Sequence, residues 1–298
     1  MRLGIDLGGT KTEIIALSED GQELFRARKS TPRGVYQDIL TNMQVLIADA
    51  ERATGMQGTV GIGIPGTISP ATSLVKNANT TELIGHPMQN DLEALLDRPV
   101  RIANDANCFA LSEATDGAGA GKSVVFGVIL GTGVGGGIIV DGKVLTGANS
   151  IAGEWGHSPL PWANQNERPG PDCYCGRKGC LETFVSGPGL SRSHNPVGGN
   201  GPTADQIAQL AEEGDAAALR TLATFERRLA KAFANIINIL DPDIIVCGGG
   251  VSNISRLYDN VPVLWQEYSF SDSIITPLVK AKYGDSSGVR GAAWLWPH

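Results

Sequence analysis

Three cysteines and one histidine in the middle of the chain have the residue types and spacing of a metal site. Cys173, Cys175 and Cys180 follow the pattern Cys-x-Cys-x₄-Cys, and His157 precedes them. Three thiolates and one imidazole form a closed set of four ligands, which is typical of structural Zn²⁺. Zinc would fold a loop that is otherwise poorly packed. The spacing alone also fits three reduced cysteines in a mobile loop.

Asp105 is the residue that could act as a general base. It follows the apolar segment 100–103 and precedes a segment, 107–116, that is predicted to be helical. At the end of a strand, its carboxylate could accept the proton of a substrate hydroxyl during phosphoryl transfer, a role that typically contributes ~10²–10⁴-fold. The position fits the N-cap of a helix equally well, because aspartate is favoured there.

Glycine-rich turns follow three apolar strands and could bind phosphate groups. They occupy residues 6–11, 131–137 and 248–250, and none has the spacing of a Walker A loop. Glycine lets backbone amides face an anion without a Cβ in the way, although each turn alone could be a tight hairpin. The candidate nucleotide-binding residues are Asp6, Gly8, Gly9, Thr10, Lys11, Gly131, Thr132, Gly133, Gly135, Gly136, Gly137, Gly248, Gly249 and Gly250.

Asp6 is also a candidate for holding Mg²⁺ at the end of the first strand. Mg²⁺ keeps several waters and binds one or two carboxylates together with phosphate oxygens. Thr10 and Lys11 could donate hydrogen bonds to the same phosphates. The alternatives are an aspartate that caps a turn and a solvated lysine.

The elements that would position these residues repeat along the chain. A strand, a glycine turn, a second strand and an Asp-Gly turn occur in residues 1–21 and again in residues 124–142. This echo predicts two related α/β halves. Residues 153–201 are rich in Gly, Pro and Cys and are predicted to be irregular, and Asp215 is predicted to cap a long amphipathic helix.

Composition excludes several classes of protein. The net charge is -7, and no long run of Lys or Arg offers a nucleic-acid surface. No apolar run approaches the ~20 residues of a membrane span, and the first residues do not resemble a signal peptide. Five cysteines, an odd number, do not suggest a disulfide framework. A cytoplasmic protein is therefore expected.

Taken together, these motifs resemble the ROK family of sugar kinases and sugar-responsive repressors. The matching segments are Asp6–Lys11, Gly131–Gly137, Asn104-Asp105-Ala106-Asn107, Glu154-Trp155-Gly156-His157 and Cys173–Glu182. The resemblance implies an α/β, actin-like ATPase (ribonuclease-H-like) fold of two domains with a zinc-stapled loop. It implies a small domain, 1–117, to which the C-terminal helix in 284–298 returns, and a large domain, 118–283. It further implies ATP, Mg²⁺ and structural Zn²⁺ as cofactors and a homodimer, with no nucleic-acid or membrane partner.

The resemblance also assigns roles around a sugar that would meet ATP in the cleft. Asp105 would be the catalytic base, and the implied sugar-binding residues are Gly66, Asn79, Asn104, Asp105, Glu154, His157 and Glu182. Carboxylates make strong, selective hydrogen bonds to hydroxyls. Zinc would fix the ring of His157 and leave its other nitrogen for a sugar hydroxyl. Without the resemblance, Glu154 and Glu182 would be interpreted as solvated loop acids.

Within the family, the segments 76–79, 154–157 and 284–296 look most like the bacterial fructokinase, or manno(fructo)kinase, branch. The expected reaction converts D-fructose and ATP to D-fructose 6-phosphate and ADP, with mannose or glucose as possible further substrates. The alternative is an N-acetyl-D-glucosamine kinase or a glucokinase, although the former branch typically has Phe in place of Trp155.

Two non-catalytic functions are also open, a repressor and a sugar sensor. Repressor relatives carry a helix-turn-helix before the first strand, and the start at Met1 leaves no room for one before Asp6. An intact Asp105 argues against an idle sensor.

Overall fold

The computed structural model describes residues 1–195 and 201–296. The first part of the chain contains β1 (Arg2–Leu7), β2 (Lys11–Leu17), β3 (Glu23–Ser30), α1 (Tyr36–Thr54), β4 (Thr59–Ile64), β5 (Thr67–Ile68), β6 (Val75–Lys76), α2 (Met88–Leu96), β7 (Val100–Asn104) and α3 (Asp105–Thr115). Strands β5 and β6 pair with each other as a separate two-stranded sheet. The chain continues with β8 (Val124–Leu130), β9 (Val134–Val140), β10 (Lys143–Val144), α4 (Glu182–Val185), α5 (Gly187–His194), α6 (Ala204–Glu212), α7 (Ala216–Leu240), β11 (Ile244–Gly248), α8 (Arg256–Leu264), β12 (Leu278–Lys280) and α9 (Ser287–Ala293).

The first sheet brings the ends of three parallel strands to one edge. Its order is β3-β2-β1-β4-β7, with β1, β4 and β7 parallel and the β1-β2-β3 meander antiparallel. In this register Asp6 lies opposite Gly63, and Gly63 lies opposite Ala103. The residues that follow these strands therefore lie at the same edge, where α/β sheets bind their ligands.

Helix α1 covers one face of this sheet because its apolar residues recur at helical spacing. Ile39, Leu40, Met43, Leu46 and Ile47 are buried along one stripe, together with apolar residues of β1 and β4. The helix ends at Gly55, which has a left-handed conformation and donates its N–H to Glu51 O. Strand β3 alternates between exposed and half-buried residues, as an edge strand does.

Glycines let helix α9 approach the sheet and α3 closely. A Cβ added at Gly61 would lie 1.9 Å from Ala292 O, and one at Gly4 would lie 2.1 Å from Val289 O. A Cβ at Gly291 would lie 1.6 Å from Cys108 O on α3. Backbones approach this closely only where no side chain intervenes. Close packing of this kind accounts for part of the high glycine content.

The second sheet has the order β10-β9-β8-β11-β12, with β8, β11 and β12 parallel. Gly131 and Gly249 follow the adjacent strands β8 and β11, and so lie at the carboxyl edge of this sheet. Helix α7 begins at the N-cap Asp215, whose carboxylate accepts the N–H of Ala218 at 2.7 Å, as the sequence predicts.

In the described part of the chain, none of the helices is both long and apolar enough to serve as a membrane span.

Contacts within the chain define two compact units. One contains Met1–Gly121, Gly137–Ala152 and Asp285–His298, and the other contains Lys122–Gly136 and Gly153–Gly284. The sequence-based division assigned 137–152 to the large domain, whereas contacts group it with the first unit. Lys76 Nζ donates to Asn149 O at 3.0 Å, and a Cβ at Gly137 would lie 2.6 Å from Ala106 O. The last two residues of the predicted helical range, 297 and 298, lie outside the described residues.

Two predictions of local structure are corrected. The turn predicted over 131–137 ends at Gly133, because β9 begins at Val134 and includes Gly135, Gly136 and Gly137. A Cβ at Gly136 would lie 2.8 Å from the ring of Trp155, so this strand glycine serves packing. The segment 153–201, predicted to be irregular, contains α4 and α5 and two 3₁₀ turns, Trp155–His157 and Gln165–Glu167. Ser186 caps α5 through its side chain.

Candidate active site

The carboxylates of Asp6 and Asp105 lie near each other at the carboxyl edge of the first sheet. Burial, together with the charges of Asp105 and Glu13, raises the pKa of Asp6 to about 6, against the opposing charges of Lys11 and Arg28. The same two carboxylates add to the effect of burial in raising the pKa of the Cys108 thiol. Two neighbouring carboxylates at a sheet edge place negative charge there, and a bound cation would neutralise that charge.

Asp105 is the first residue of α3 and is not its cap. Asn104 takes the capping role, since its Oδ1 accepts the N–H of Ala106 at 2.9 Å and that of Asn107 at 3.4 Å. The Oδ1 of Asp105 also accepts the Ala106 N–H, at 2.8 Å. The capping alternative that the sequence left open for Asp105 therefore belongs to its neighbour.

Gly66 and Asn79 lie at the same edge of the first unit. The Nδ2 of Asn104 donates to Gly66 O at 3.2 Å, and the N–H of Asn79 donates to Pro65 O at 3.0 Å. Gly66 is buried, and a Cβ there would lie 2.8 Å from Lys76 O, so only glycine fits. Asn79 is exposed. The structure thus brings together Gly66, Asn104 and Asp105. Asn79 is hydrogen-bonded to Pro65, the residue before Gly66.

The turn after β1 is a hairpin whose tip is exposed to solvent. The N–H of Gly8 donates to Lys11 O at 2.9 Å, and Thr31 Oγ1 donates to Gly8 O at 2.7 Å. Gly9, Thr10 and Lys11 are exposed. Gly8 therefore shapes the turn through its own amide, and the tip residues are the ones that a phosphate could reach.

Replacing Asp6 with asparagine should stabilise the metal-free protein at neutral and higher pH. A carboxyl whose folded pKa is raised, here from 3.8 to about 6, opposes folding once it ionises. The free energy of unfolding of Asp6→Asn should exceed that of the wild type by up to about 3 kcal/mol at pH 8 and by roughly half as much at pH 5. Thermal or urea unfolding at both pH values measures the difference. The exposed Asp272→Asn serves as control, and a gain that is independent of pH would contradict the assignment.

In the second unit, the turn after β8 lies against Glu182. Glu182 Oε2 accepts the N–H of Val134 at 3.0 Å, and a Cβ at Gly133 would lie 2.7 Å from the same oxygen. Gly131 O accepts the N–H of Gly187 at 2.8 Å. Thr132 is exposed at the tip of this turn. A predicted phosphate-binding turn and a predicted sugar-binding carboxylate are therefore in contact.

The turn after β11 is shaped by Gly249, which has a left-handed conformation with φ of 80°. A Cβ there would lie 2.5 Å from Leu130 O, which places this turn against the end of β8. Gly248 ends β11, and the exposed Gly250 begins a 3₁₀ turn, Gly250–Asn253. The two glycine turns of the second unit thus lie next to each other.

The predicted metal ligands come together in the second unit. The ligand atoms of His157, Cys173, Cys175 and Cys180 all lie within 4.8 Å of one another. The loop folds through a turn in which the N–H of Gly176 donates to Cys173 O at 3.0 Å, and Gly176 has a φ of 85°. This arrangement agrees with the ligand set predicted from the sequence.

Two of the distances within the cluster match those of a tetrahedral zinc site. Cys173 Sγ lies 3.6 Å from His157 Nδ1, and Cys175 Sγ lies 3.6 Å from Cys180 Sγ. Ligand bonds of roughly 2.0–2.3 Å at tetrahedral angles separate ligand atoms by about 3.5–3.8 Å. The residues present therefore fit Zn²⁺, which would be bound through Nδ1 of the histidine.

Loss of Cys175 should unfold the loop locally without unfolding the core. Cys175→Ser removes an exposed member of the cluster, and zinc bound there would hold the loop together through its binding free energy. Metal analysis should show loss of zinc, and hydrogen exchange in 158–181 should accelerate at least about tenfold, because the segment gains free energy mainly from the metal. Lys178→Ala, in the same loop, should change neither quantity. Normal protection of the loop in a zinc-free variant would contradict the prediction.

The aromatic core positions the 3₁₀ turn that carries His157. Trp155 is 5% exposed, stacks on Phe233 with ring centroids 5.5 Å apart, and meets Phe126 edge-on at 5.5 Å. Its Nε1 donates to Gly135 O at 3.1 Å. The conformation of 154–157 therefore follows from packing, with Trp155 directed into the core and Glu154 exposed.

Tyr174 is a residue of this site that the sequence analysis missed. Its hydroxyl lies 2.9 Å from His157 Nε2, the nitrogen expected to be left for a sugar hydroxyl. Desolvation of its hydroxyl beside His157, although the residue as a whole is exposed, raises the pKa of Tyr174 to about 12, with contributions from the charges of Glu182 and Glu154. The only signal available in the sequence was an aromatic residue between two metal ligands. The structure thus groups Glu154, His157, Tyr174 and Glu182 in the second unit.

Comparison with known proteins agrees with the motifs. The model of the family described as "ROK family" matches residues 2–298. An N-acetyl-D-glucosamine kinase from Pasteurella multocida (strain Pm70) is 40% identical over 301 residues, which is 99% of this chain and 99% of the relative.

Two solved structures have the same fold. The structure of a ROK hexokinase from Thermus thermophilus is similar with a TM-score of 0.87 and 28% identity, covering 99% of this chain and 97% of its own. A ROK family glucokinase from Streptomyces griseus, in complex with glucose and AMPPNP, has a TM-score of 0.77 and 28% identity, covering 98% and 97%. The α/β, actin-like sugar kinase fold predicted from the sequence is confirmed.

Proposed function

This chain belongs to the ROK family of sugar kinases, and on that premise we propose that it transfers the γ-phosphoryl group of ATP to a hydroxyl of N-acetyl-D-glucosamine. The choice of sugar is supported by N-acetyl-D-glucosamine kinases that are 40% identical over 99% of this chain. The chemistry is supported by one observation above others, the pair of neighbouring carboxylates, Asp6 and Asp105, at the edge of the first sheet.

The sequence alone favoured fructose, partly because of Trp155. Trp155 is buried against Phe126 and Phe233, so a Trp-to-Phe difference at this position concerns packing more than recognition of the sugar. The relatives therefore carry more weight, and N-acetyl-D-glucosamine, the alternative of the sequence analysis, becomes the proposed substrate.

Asp6 and the glycine turns would serve the nucleotide. Asp6 fits the role of holding Mg²⁺ through water, because burial and like charges disfavour its ionised form until a cation is present. Bound Mg²⁺ would neutralise charge on the phosphate oxygens. The exposed tip residues, Gly9, Thr10 and Lys11, would contact phosphate, as would the two neighbouring turns that follow β8 and β11.

Asp105 would accept the proton of the attacking hydroxyl. As the sugar oxygen forms its bond to the γ-phosphorus, the bond from that phosphorus to the bridging oxygen of ADP breaks, and the hydroxyl proton moves to Asp105. Because Asn104 caps α3, the carboxylate of Asp105 is not required to start the helix. The capping of α3 by Asn104 therefore supports a chemical role for Asp105.

Recognition of the sugar would use the residues that the family resemblance predicts to bind it. Glu154, His157 and Glu182 would exchange hydrogen bonds with hydroxyls, and the carboxylates would reject analogues that lack them. Asn104, Asn79 and the backbone at Gly66, which lie together in the structure, would offer further hydrogen bonds to the sugar.

A coupled assay of ADP release across a panel of sugars tests the proposal. N-acetyl-D-glucosamine, glucose, mannose and fructose should all be offered with MgATP, and N-acetyl-D-glucosamine should give the highest kcat/KM. A higher kcat/KM for fructose would reinstate the substrate that the sequence favoured. No turnover with any sugar, in protein that binds sugar by calorimetry, would indicate a sensor and overturn the kinase proposal.

A further inference from the structure

The imidazole of His157 makes contacts through both ring nitrogens in the described structure. Nδ1 lies 3.6 Å from Cys173 Sγ, and Nε2 lies 2.9 Å from the hydroxyl of Tyr174. The two rings meet edge-to-face, with centroids 5.1 Å apart and an angle of 81° between their planes. Tyr174 therefore contacts the nitrogen that faces away from the metal ligands.

The direction of this hydrogen bond follows from the metal ligands. A histidine that binds zinc through Nδ1 carries its single ring proton on Nε2, so Nε2–H is a donor. The hydroxyl oxygen of Tyr174 is then the acceptor. One N–H makes one strong hydrogen bond, so a sugar oxygen cannot accept from Nε2–H while Tyr174 does.

The side chain of Tyr174 occupies the region where sugar hydroxyls are expected. It lies close enough to Glu182 and Glu154 for their charges to act on it. Its backbone is fixed between the ligands Cys173 and Cys175, yet the residue is 75% exposed. A side chain that is this exposed, and is held by its hydroxyl and by the edge of one ring, can rotate away from His157 without disturbing the metal loop.

We propose that Tyr174 is a specificity-determining residue that competes with the sugar for the Nε2–H of His157. This inference rests on the proposed function, because it takes His157 as a ligand of the sugar. A sugar that places a hydroxyl oxygen at Nε2 replaces the lost hydrogen bond, whereas an analogue without that hydroxyl does not. Tyr174 thereby weakens the binding of every sugar that displaces it, and only a sugar that places a hydroxyl oxygen at Nε2 recovers the hydrogen bond.

The variant Tyr174→Phe tests the proposal because it keeps the ring and removes the acceptor. Loss of a competing hydrogen bond should lower the Kd for N-acetyl-D-glucosamine by about twofold to tenfold, measured by calorimetry, as expected for one net hydrogen bond. The zinc content should be unchanged. Tyr36→Phe is the matched control, because Tyr36 donates its hydroxyl to Asp91 at 2.8 Å, away from this loop, and its Kd for the sugar should equal that of the wild type.

Other outcomes show whether the competition for His157 or the proposed function has failed. An unchanged or higher Kd in Tyr174→Phe, with zinc retained, would overturn the competition, and a higher value would show that the hydroxyl helps to bind the sugar. Lower zinc content would show that Tyr174 acts on the metal loop, and that also overturns it. If the wild type neither binds nor phosphorylates any sugar of the panel, the proposed function has failed, and the inference fails with it. The absence of sugar binding in the wild type distinguishes this outcome from a failure of the inference alone.

Discussion

Asp105→Asn should lower kcat for phosphorylation of the sugar by ~10²–10⁴-fold, the range expected for removal of a positioned general base. Asparagine has nearly the same shape but cannot accept the hydroxyl proton. The Kd for the sugar should stay within about threefold, because an amide still exchanges hydrogen bonds with hydroxyls. Steady-state kinetics with the sugar panel, combined with calorimetry, separate these two effects.

The matched control is Asp215→Asn at the start of α7. Asp215 is a true helix cap, with its carboxylate on the N–H of Ala218, and asparagine caps equally well. Its kcat should equal that of the wild type. A near-normal kcat in Asp105→Asn would show that Asp105 only helps to start its helix, as Asp215 does. Asp105 would then not be the general base.

Gly291→Ala should destabilise the first unit by at least about 3 kcal/mol, the upper part of the range for overpacked cores. The added Cβ would lie 1.6 Å from Cys108 O and 2.3 Å from Cys108 C, which are backbone atoms of α3 and cannot rotate away. Helix α9 would have to move, and its contacts with β1 and β4 would be lost. Thermal and urea unfolding measure the effect.

Gly288→Ala provides a control within the same helix. The gain in helix propensity, about 1 kcal/mol, is the same for both substitutions. At Gly288 the nearest atom to the new Cβ is Asp6 Oδ2, at 3.4 Å, which is a side-chain oxygen. Gly288→Ala should therefore unfold at or above the wild-type temperature. Equal stability of the two variants would contradict the account of α9 as a helix packed through glycine.

Local chemistry explains why much of the site was predictable. A glycine turn after an apolar strand, a Cys-x-Cys-x₄-Cys run and an acid after β7 are each specified by neighbours in sequence. Parallel pairing then brings Asp6 to the level of Gly63 and Ala103 without further information. The metal cluster was predictable because one histidine and three cysteines with this spacing have few other uses.

Other features depend on residues far apart in the chain. The partner of Gly291 is Cys108, and that of Gly61 is Ala292, so neither glycine reveals its role locally. Gly135 to Gly137 read as turn residues because strand interiors rarely contain glycine. Trp155 was interpreted through the family pattern, whereas its neighbours Phe126 and Phe233 decide what it does. The contact between Tyr174 and His157 depends on a loop fold that spacing alone does not specify.

The packing of α9 on β1 has a consequence for biosynthesis. The face of β1 that receives Ala293 is translated long before α9, the helix that covers it. At ~5–20 residues per second, translation leaves that face uncovered for roughly 15–60 s. All of 122–136 and 153–284 is synthesised within that interval. The nascent chain therefore completes its second unit before its first, and the amino-terminal sheet is the surface that a chaperone has time to bind.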